Sequence, residues 1–365
     1  MFGRGFRIAT IRGVPINIDS SWIWIAVLLV GTIWSRLDAR FPELGTAGAL
    51  AFSLFGALIF FGSVFLHEGA HAVTARHAGI EVHGITLVFF GGFTAARADA
   101  KGPWPAFRIA ALGPGTSLAL SGVFWAMFQL TERSNGPLPG LFAYVSAVNL
   151  FMAVFNALPG LPLDGGRMLQ ALVWRVTGSN ERGTRIAARA GLIVGGLVIA
   201  GAIYSVMRQD LFFAIWLGII GAFIFRGART SEQRIGLEAR LASGTVADAM
   251  DPPPPAVPAE LTLSDTLERF LRGHEGEAFP VVEEGRVIGM ISFSSAREIG
   301  GRDPLRPASD ALIPLEQVLV ASPDEPLDSV STRLGAEGAA LVLDDGALVG
   351  AITGGGLYRW AARVS

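Results

Sequence analysis

The sequence has no cysteine in 365 residues. That absence excludes disulfides, cysteine-ligated zinc, iron–sulfur clusters and thiol nucleophiles together. Charge is also scarce, at 16% Asp, Glu, Lys and Arg, where soluble domains carry about 25%. The signs nearly cancel, at a net −2, so no basic field points to nucleic acid. There are only five histidines, and with cysteine missing any metal must be held by His, Asp or Glu. Hydrophobic residues make up 51%, which excludes a disordered chain and argues against an ordinary soluble enzyme.

What the sequence does have is long apolar runs, nearly all between residues 20 and 230. A membrane-spanning helix needs about 20 such residues. Six runs are candidates, the first a little short but bracketed by Trp22, Trp24 and Trp34: Ser20–Trp34, Leu50–Ala75, Ile109–Leu130, Leu138–Leu158, Ala190–Met207 and Leu211–Phe225. The segments between them alternate in charge. Sixteen Lys and Arg fall on one side, both termini included, and four on the other. The positive-inside rule makes the first side cytoplasmic, which places the chain in the cell membrane with cytoplasmic N- and C-termini. Gly79–Ala98 reads differently. Its β-branched and aromatic residues, broken by Gly91-Gly92, predict a β-hairpin or edge strand next to the second helix, with a plain cytoplasmic loop as the alternative.

His67-Glu68-Gly69-Ala70-His71 interrupts the second run. Positions i and i+4 share one helix face, so both imidazoles can reach one metal ion, with Glu68 beside them as a general base for a metal-bound water. Catalytic zinc takes three protein ligands and keeps one position for water. Most carboxylates of the apolar half sit in loops, but Asp164 follows the fourth run, in Asn156-Ala-Leu-Pro-Gly-Leu-Pro-Leu-Asp164-Gly-Gly-Arg167. By position alone Asp164 is equally a helix N-cap ahead of Met168–Val176 and a ligand; the need for a third ligand favours the ligand reading. His77 and His83 read as interfacial or loop histidines.

These two motifs, about a hundred residues apart, resemble the paired signatures of the site-2 protease family of intramembrane zinc metalloproteases. The resemblance covers residues 1–230. It implies that His67, His71 and Asp164 bind one zinc ion and that Glu68 is catalytic. It implies that Asn156 contributes to substrate or oxyanion binding, and that the strand containing Gly91, Gly92 and Phe93 pairs with an unwound substrate. It implies cleavage in or near the transmembrane segment of a membrane protein, such as an anti-sigma factor or a signal-peptide remnant. Gly113-Pro114 also resembles a family feature, but the asparagine common soon after it is replaced by Thr116 and Ser117, and no chemistry is assigned there.

The remainder is polar. After a linker at 231–242, residues 243–365 contain two similar units, about 243–303 and 304–365. Each has an apolar strand, an acidic-Gly turn at Gly285 or Gly346, and a strand ending in Gly289-Met-Ile-Ser292 or Gly350-Ala-Ile-Thr353. This repeat is similar to a tandem cystathionine-β-synthase-type (CBS) pair, which implies a regulatory module that binds adenine nucleotides or forms a homodimer. The ribose-binding aspartate expected three residues after Ser292 or Thr353 is missing from both units. The expected fold is therefore an α-helical polytopic membrane protein with about six transmembrane helices and a β-hairpin, followed by an α/β tandem CBS domain. A CBS-regulated transporter or channel is the alternative function, although the spans show no repeat symmetry.

Overall fold

The computed structural model describes residues 6–11, 13–88, 91–96, 100–274, 277–334 and 338–363. They form two compact units, Met1–Gln233 and Arg234–Ser365.

The first unit opens with a hairpin, β1 (Phe6–Ile11) and β2 (Val14–Ile18), turned at Gly13 with φ +84°. Val14 and Ile16 point inward on alternate positions, the period of a half-buried strand. Helices α1 (Ser21–Arg40) and α2 (Gly45–His77) follow. After them come β3 (Val82–Val88), β4 (Gly91–Ala96), α3 (Pro103–Thr131), α4 (Leu138–Asn156), α5 (Asp164–Thr177), α6 (Asn180–Met207) and α7 (Leu211–Leu241).

The hairpin predicted within Gly79–Ala98 is present as β3 and β4, antiparallel. Its turn, residues 89–90, and residues 97–99 lie outside the described residues. The sheet order is β1-β2-β3-β4. Strand β2 lies parallel beside β3, pairing Ile16 with Ile85 and Ile18 with Leu87, which leaves β4 as an edge strand. Val14 and Trp22 pack with Val64 and Ala72 of α2, so the sheet is seated on the helix that carries the histidines.

Among the described residues, α1, α2, α3, α4, α6 and α7 are long and apolar enough to cross a membrane. Large apolar side chains stand on their outer faces, including Trp24 (74% exposed), Leu58 (69%) and Leu197 (68%). Such faces suit lipid as solvent. Inside, small residues and hydroxyls join the helices, as is usual where hydrocarbon surrounds the protein. The Ser121 hydroxyl donates to the Ser146 carbonyl and the Ser146 hydroxyl to the Ser121 carbonyl, both at 2.9 Å, locking α3 to α4. Asn149 of α4 donates to Ser63 of α2. Gln170 of α5 donates to Asn180 and Thr184 of α6.

The second unit continues α7 into α8 (Val246–Ala249), β5 (Val257–Pro258), α9 (Leu263–Thr266), β6 (Ala278–Glu283), β7 (Arg286–Ser292) and α10 (Phe293–Gly300). Then come β8 (Ile313–Pro314), β9 (Val320–Ala321), α11 (Leu327–Leu334), β10 (Ala339–Asp344), β11 (Ala347–Thr353) and α12 (Gly354–Arg363). The two sheets run β5-β6-β7-β8 and β11-β10-β9. In each, a parallel pair adjoins an antiparallel hairpin. The hairpin turns match at the backbone: Glu284-Gly285 and Asp345-Gly346 all have positive φ, the geometry of a two-residue type I′ turn. Two separate cores fill the unit. Val257, Leu263, Phe279, Ile291 and Ala308 share one, while Val246 and Ala249 join Leu327, Val342 and Ile352 in the other. Thus α8, early in the sequence, completes the core of the later strands.

Candidate metal centre

Helix α2 buries one face over its C-terminal half, and His67, Glu68 and His71 are all on it, 3%, 7% and 9% exposed. Spacing by four sets the two imidazoles one above the other. Their ring centroids are 5.1 Å apart with planes at 76°. Their Nε2 atoms converge on one oxygen from a distant part of the chain. Asp164 Oδ2 is 3.2 Å from His67 Nε2 and 3.2 Å from His71 Nε2. Among the described residues, these three make the group of side chains that could hold a metal ion.

Asp164 arrives there because the chain between α4 and α5 is fixed on every side. The Leu161 amide donates to the Ala187 carbonyl of α6. A Cβ at Gly165 would strike the carbonyls of Ala157 and Leu158, one at Gly166 the backbone at Gly160 and Leu161, and one at Gly191 the Leu161 carbonyl. These glycines let backbone touch backbone, and the side chain at the first position of α5 is thereby aimed at α2. The helix is capped at Leu163 with no side-chain hydrogen bond. The N-cap role considered for Asp164 is not the one it takes.

Both rings are held from behind by α3. His71 Nδ1 lies 2.7 Å from the Ile109 carbonyl, and His67 Nδ1 lies 2.8 Å from the Ser117 hydroxyl. A carbonyl only accepts, so His71 Nδ1 carries the hydrogen and donates it. In its neutral form His71 then turns a lone pair at Nε2 toward a carboxylate oxygen. That arrangement is favourable only with a cation between the two atoms, a proton or a metal. The separations fit a metal: two ligands about 2.0–2.1 Å from a tetrahedral zinc lie roughly 3.3 Å apart. Gly113 lies between Ile109 and Ser117 on α3, and a Cβ there would overlap His71 Nε2 and come within 2.8 Å of His67 Nε2. The space in front of both nitrogens is kept free by the lack of that one atom.

The other residues singled out in the sequence lie elsewhere. Asn156, the last residue of α4, is half-buried and donates back to the Met152 carbonyl. Gly91, Gly92 and Phe93 are in β4, paired with Val88, Leu87 and Thr86. His77 is exposed and bonds to the Val73 carbonyl, and His83 is exposed. Arg167 is exposed. Sequence reasoning missed Ile109, Gly113 and Ser117 as partners of the histidines.

Comparison with known proteins gives the family of the chain. The family described as Peptidase family M50 matches residues 55–138 and 133–198, and the CBS domain family matches 246–299. The chain is 36% identical over 356 residues to Rip3 of Mycobacterium tuberculosis, named as a zinc metalloprotease, covering 95% of this chain and 90% of that protein. A Synechocystis protein also named as a zinc metalloprotease is 30% identical over 318 residues, covering 86% and 83%. The solved site-2 protease of Methanocaldococcus jannaschii is 24% identical with a TM-score of 0.44, covering 63% of this chain and 95% of that one. The chain belongs to peptidase family M50, the site-2 protease family, and carries a CBS region. It is a metalloprotease and a multi-pass membrane protein, and the alternative of a CBS-regulated transporter or channel is set aside by that membership.

Proposed function

We propose that the chain is an intramembrane endopeptidase in which His67, His71 and Asp164 hold one zinc ion and Glu68 is the general base. The observation that carries this reading is the convergence of two imidazole Nε2 atoms on Asp164 Oδ2, with His71 fixed in the tautomer that turns a lone pair inward. Zinc bound there supplies Lewis acidity for the scissile carbonyl and lowers the pKa of water toward 7. Glu68, buried on the same stretch of α2, takes the proton of the attacking water and passes it to the amide nitrogen as the C–N bond breaks. The enclosure of the site by α2, α3 and α5 limits bulk water around these charges, which strengthens their interactions.

The substrate is the transmembrane segment of another membrane protein in the bilayer, such as an anti-sigma factor or a signal-peptide remnant. A helix hides its carbonyls in internal hydrogen bonds, so the segment unwinds before cleavage. The open edge of β4, with Gly91, Gly92 and Phe93, offers main-chain groups for strand addition, and Asn156 contributes to substrate or oxyanion binding. Both termini are cytoplasmic. The CBS pair regulates the protease, through an adenine nucleotide or through a homodimer. Ser295 and Gly356 stand where ribose-binding aspartates are expected, so titration with ATP, ADP and AMP separates those two modes.

The test measures zinc content and cleavage of a model transmembrane substrate in detergent-solubilised wild type, Glu68→Gln and Asp164→Ala. Expected are about one zinc per chain in wild type and in Glu68→Gln, loss of zinc in Asp164→Ala, and a cleavage rate about 10²–10⁴-fold lower in Glu68→Gln. Wild type without zinc, or Glu68→Gln cleaving at the wild-type rate, overturns the assignment.

A further inference from the structure

Ile109, Gly113 and Ser117 are spaced by four along α3 and so form one stripe. The stripe meets the stripe of His67 and His71 on α2 in antiparallel order: Ser117 against His67, Ile109 against His71. Each member does something different. Ile109 offers a carbonyl. Gly113 offers no side chain where a Cβ would overlap the inward nitrogens. Ser117 offers a hydroxyl with no exposure at all.

Two of these choices are costly unless the metal ligands need them. Glycine inside a helix is less favourable than alanine. A buried hydroxyl is unfavourable unless it is hydrogen-bonded. A helical hydroxyl usually turns back to the carbonyl four residues earlier, as Thr116 does to Leu112, Thr74 to Ala70 and Ser53 to Ala49. Ser117 meets the His67 ring instead.

We propose that Ser117 is a positioning residue of the metal centre: it accepts the Nδ1 hydrogen of His67, which fixes the tautomer and ring plane that present Nε2 to the ion, while Gly113 preserves the volume the ion occupies. This rests on the zinc reading above. It adds that the two histidines are controlled differently. His71 is held by main chain, which no substitution at residue 109 removes. His67 is held by a single replaceable side chain. Affinity for the metal is therefore tuned at residue 117, since an outer hydrogen-bond partner of a ligating histidine is worth about 10–100-fold in affinity.

The experiment uses the full chain in detergent, with zinc affinity from chelator competition and the cobalt(II) visible spectrum as a readout of ligand geometry. Expected for Ser117→Ala are a 10–100-fold weaker zinc affinity, an altered cobalt band, and an unchanged melting temperature of the metal-free protein. Ser117→Thr, which keeps the hydroxyl, restores the wild-type affinity. Gly113→Ala loses the metal. Ser121→Ala, one turn further along α3 and bonded to α4, leaves the affinity unchanged. Wild-type affinity in Ser117→Ala, or a loss that Ser117→Thr does not restore, overturns the proposal while leaving the ligand assignment standing. Wild type that binds neither zinc nor cobalt overturns the metal reading itself, and this inference with it.

Discussion

At the scale of single residues, this protein uses glycine in two opposite ways. Where a Cβ would meet nothing, as at Gly122 of α3 and Gly196 of α6, the glycine only weakens its helix. Where a Cβ would meet backbone, as at Gly165 and Gly191, glycine is what allows the contact. Substitution by alanine should separate the two kinds. Gly122→Ala should stabilise, by up to about 0.5–1 kcal/mol. Gly165→Ala should destabilise by about 1–3 kcal/mol and also lose zinc, because Asp164 moves with the backbone. Thermal unfolding and metal content, measured on the same samples, check both. The grouping of His67, His71 and Asp164 was legible because all three sit in motifs with unusual residue types. The Ile109 carbonyl was not, since a main-chain acceptor has no letter in the sequence. Ser117 was hidden for the opposite reason: a serine in a helix has many ordinary uses.

At the scale of elements, hydropathy located the six long helices but not their ends. Helix α1 continues past Trp34 to Arg40 and α7 past Phe225 to Leu241. Leaving the apolar region changes the solvent, and a helix has no reason to stop there if its residues still favour it. The hairpin β1–β2 went unseen because Arg7 and Arg12 interrupt a short alternation, and its stability comes from pairing with β3 rather than from its own pattern. The β3–β4 hairpin was legible from its β-branched residues. For its edge, Phe93→Pro should lower cleavage of a transmembrane substrate without loss of zinc, because proline removes a main-chain donor; cleavage at the wild-type rate would exclude strand addition at that position. In the second unit, the Thr245 amide and hydroxyl both donate to Asp248 Oδ2 at the start of α8. These bonds lower the Asp248 pKa. The sign follows from linkage: the contribution is present above the ordinary carboxylate pKa and is lost as pH falls through the lower, folded-state value. Asp248→Asn should therefore flatten the acid limb of the second unit's stability in a pH 5 to 2 titration followed by circular dichroism.

At the scale of the whole molecule, the polar tail and the apolar body were separable in the sequence by composition alone, and the tail's repeat was visible from its two acidic-Gly turns. The exchange of α8 into the core of the later strands was not, because it depends on contacts between residues about a hundred positions apart. The lack of cysteine also makes the membrane arrangement directly testable. A single cysteine placed at Asn135, exposed between α3 and α4, should react with an impermeant maleimide on intact cells. One placed at Ala242 should react only after the membrane is opened. The reverse pattern would invert the orientation drawn from Lys and Arg placement.

His67 and Asp164 lie 97 residues apart in sequence, on helices that reach the same point from different parts of the bundle. An ion shared between them is a clasp as well as a reagent. It closes a long loop of chain, and closing a loop removes freedom from the unfolded ensemble. Binding that favours the folded state alone stabilises it by about 2.7 kcal/mol when the free ion is at 100 times its dissociation constant. On the proposed assignment, chelation should therefore lower the melting temperature of the protein as well as abolish cleavage.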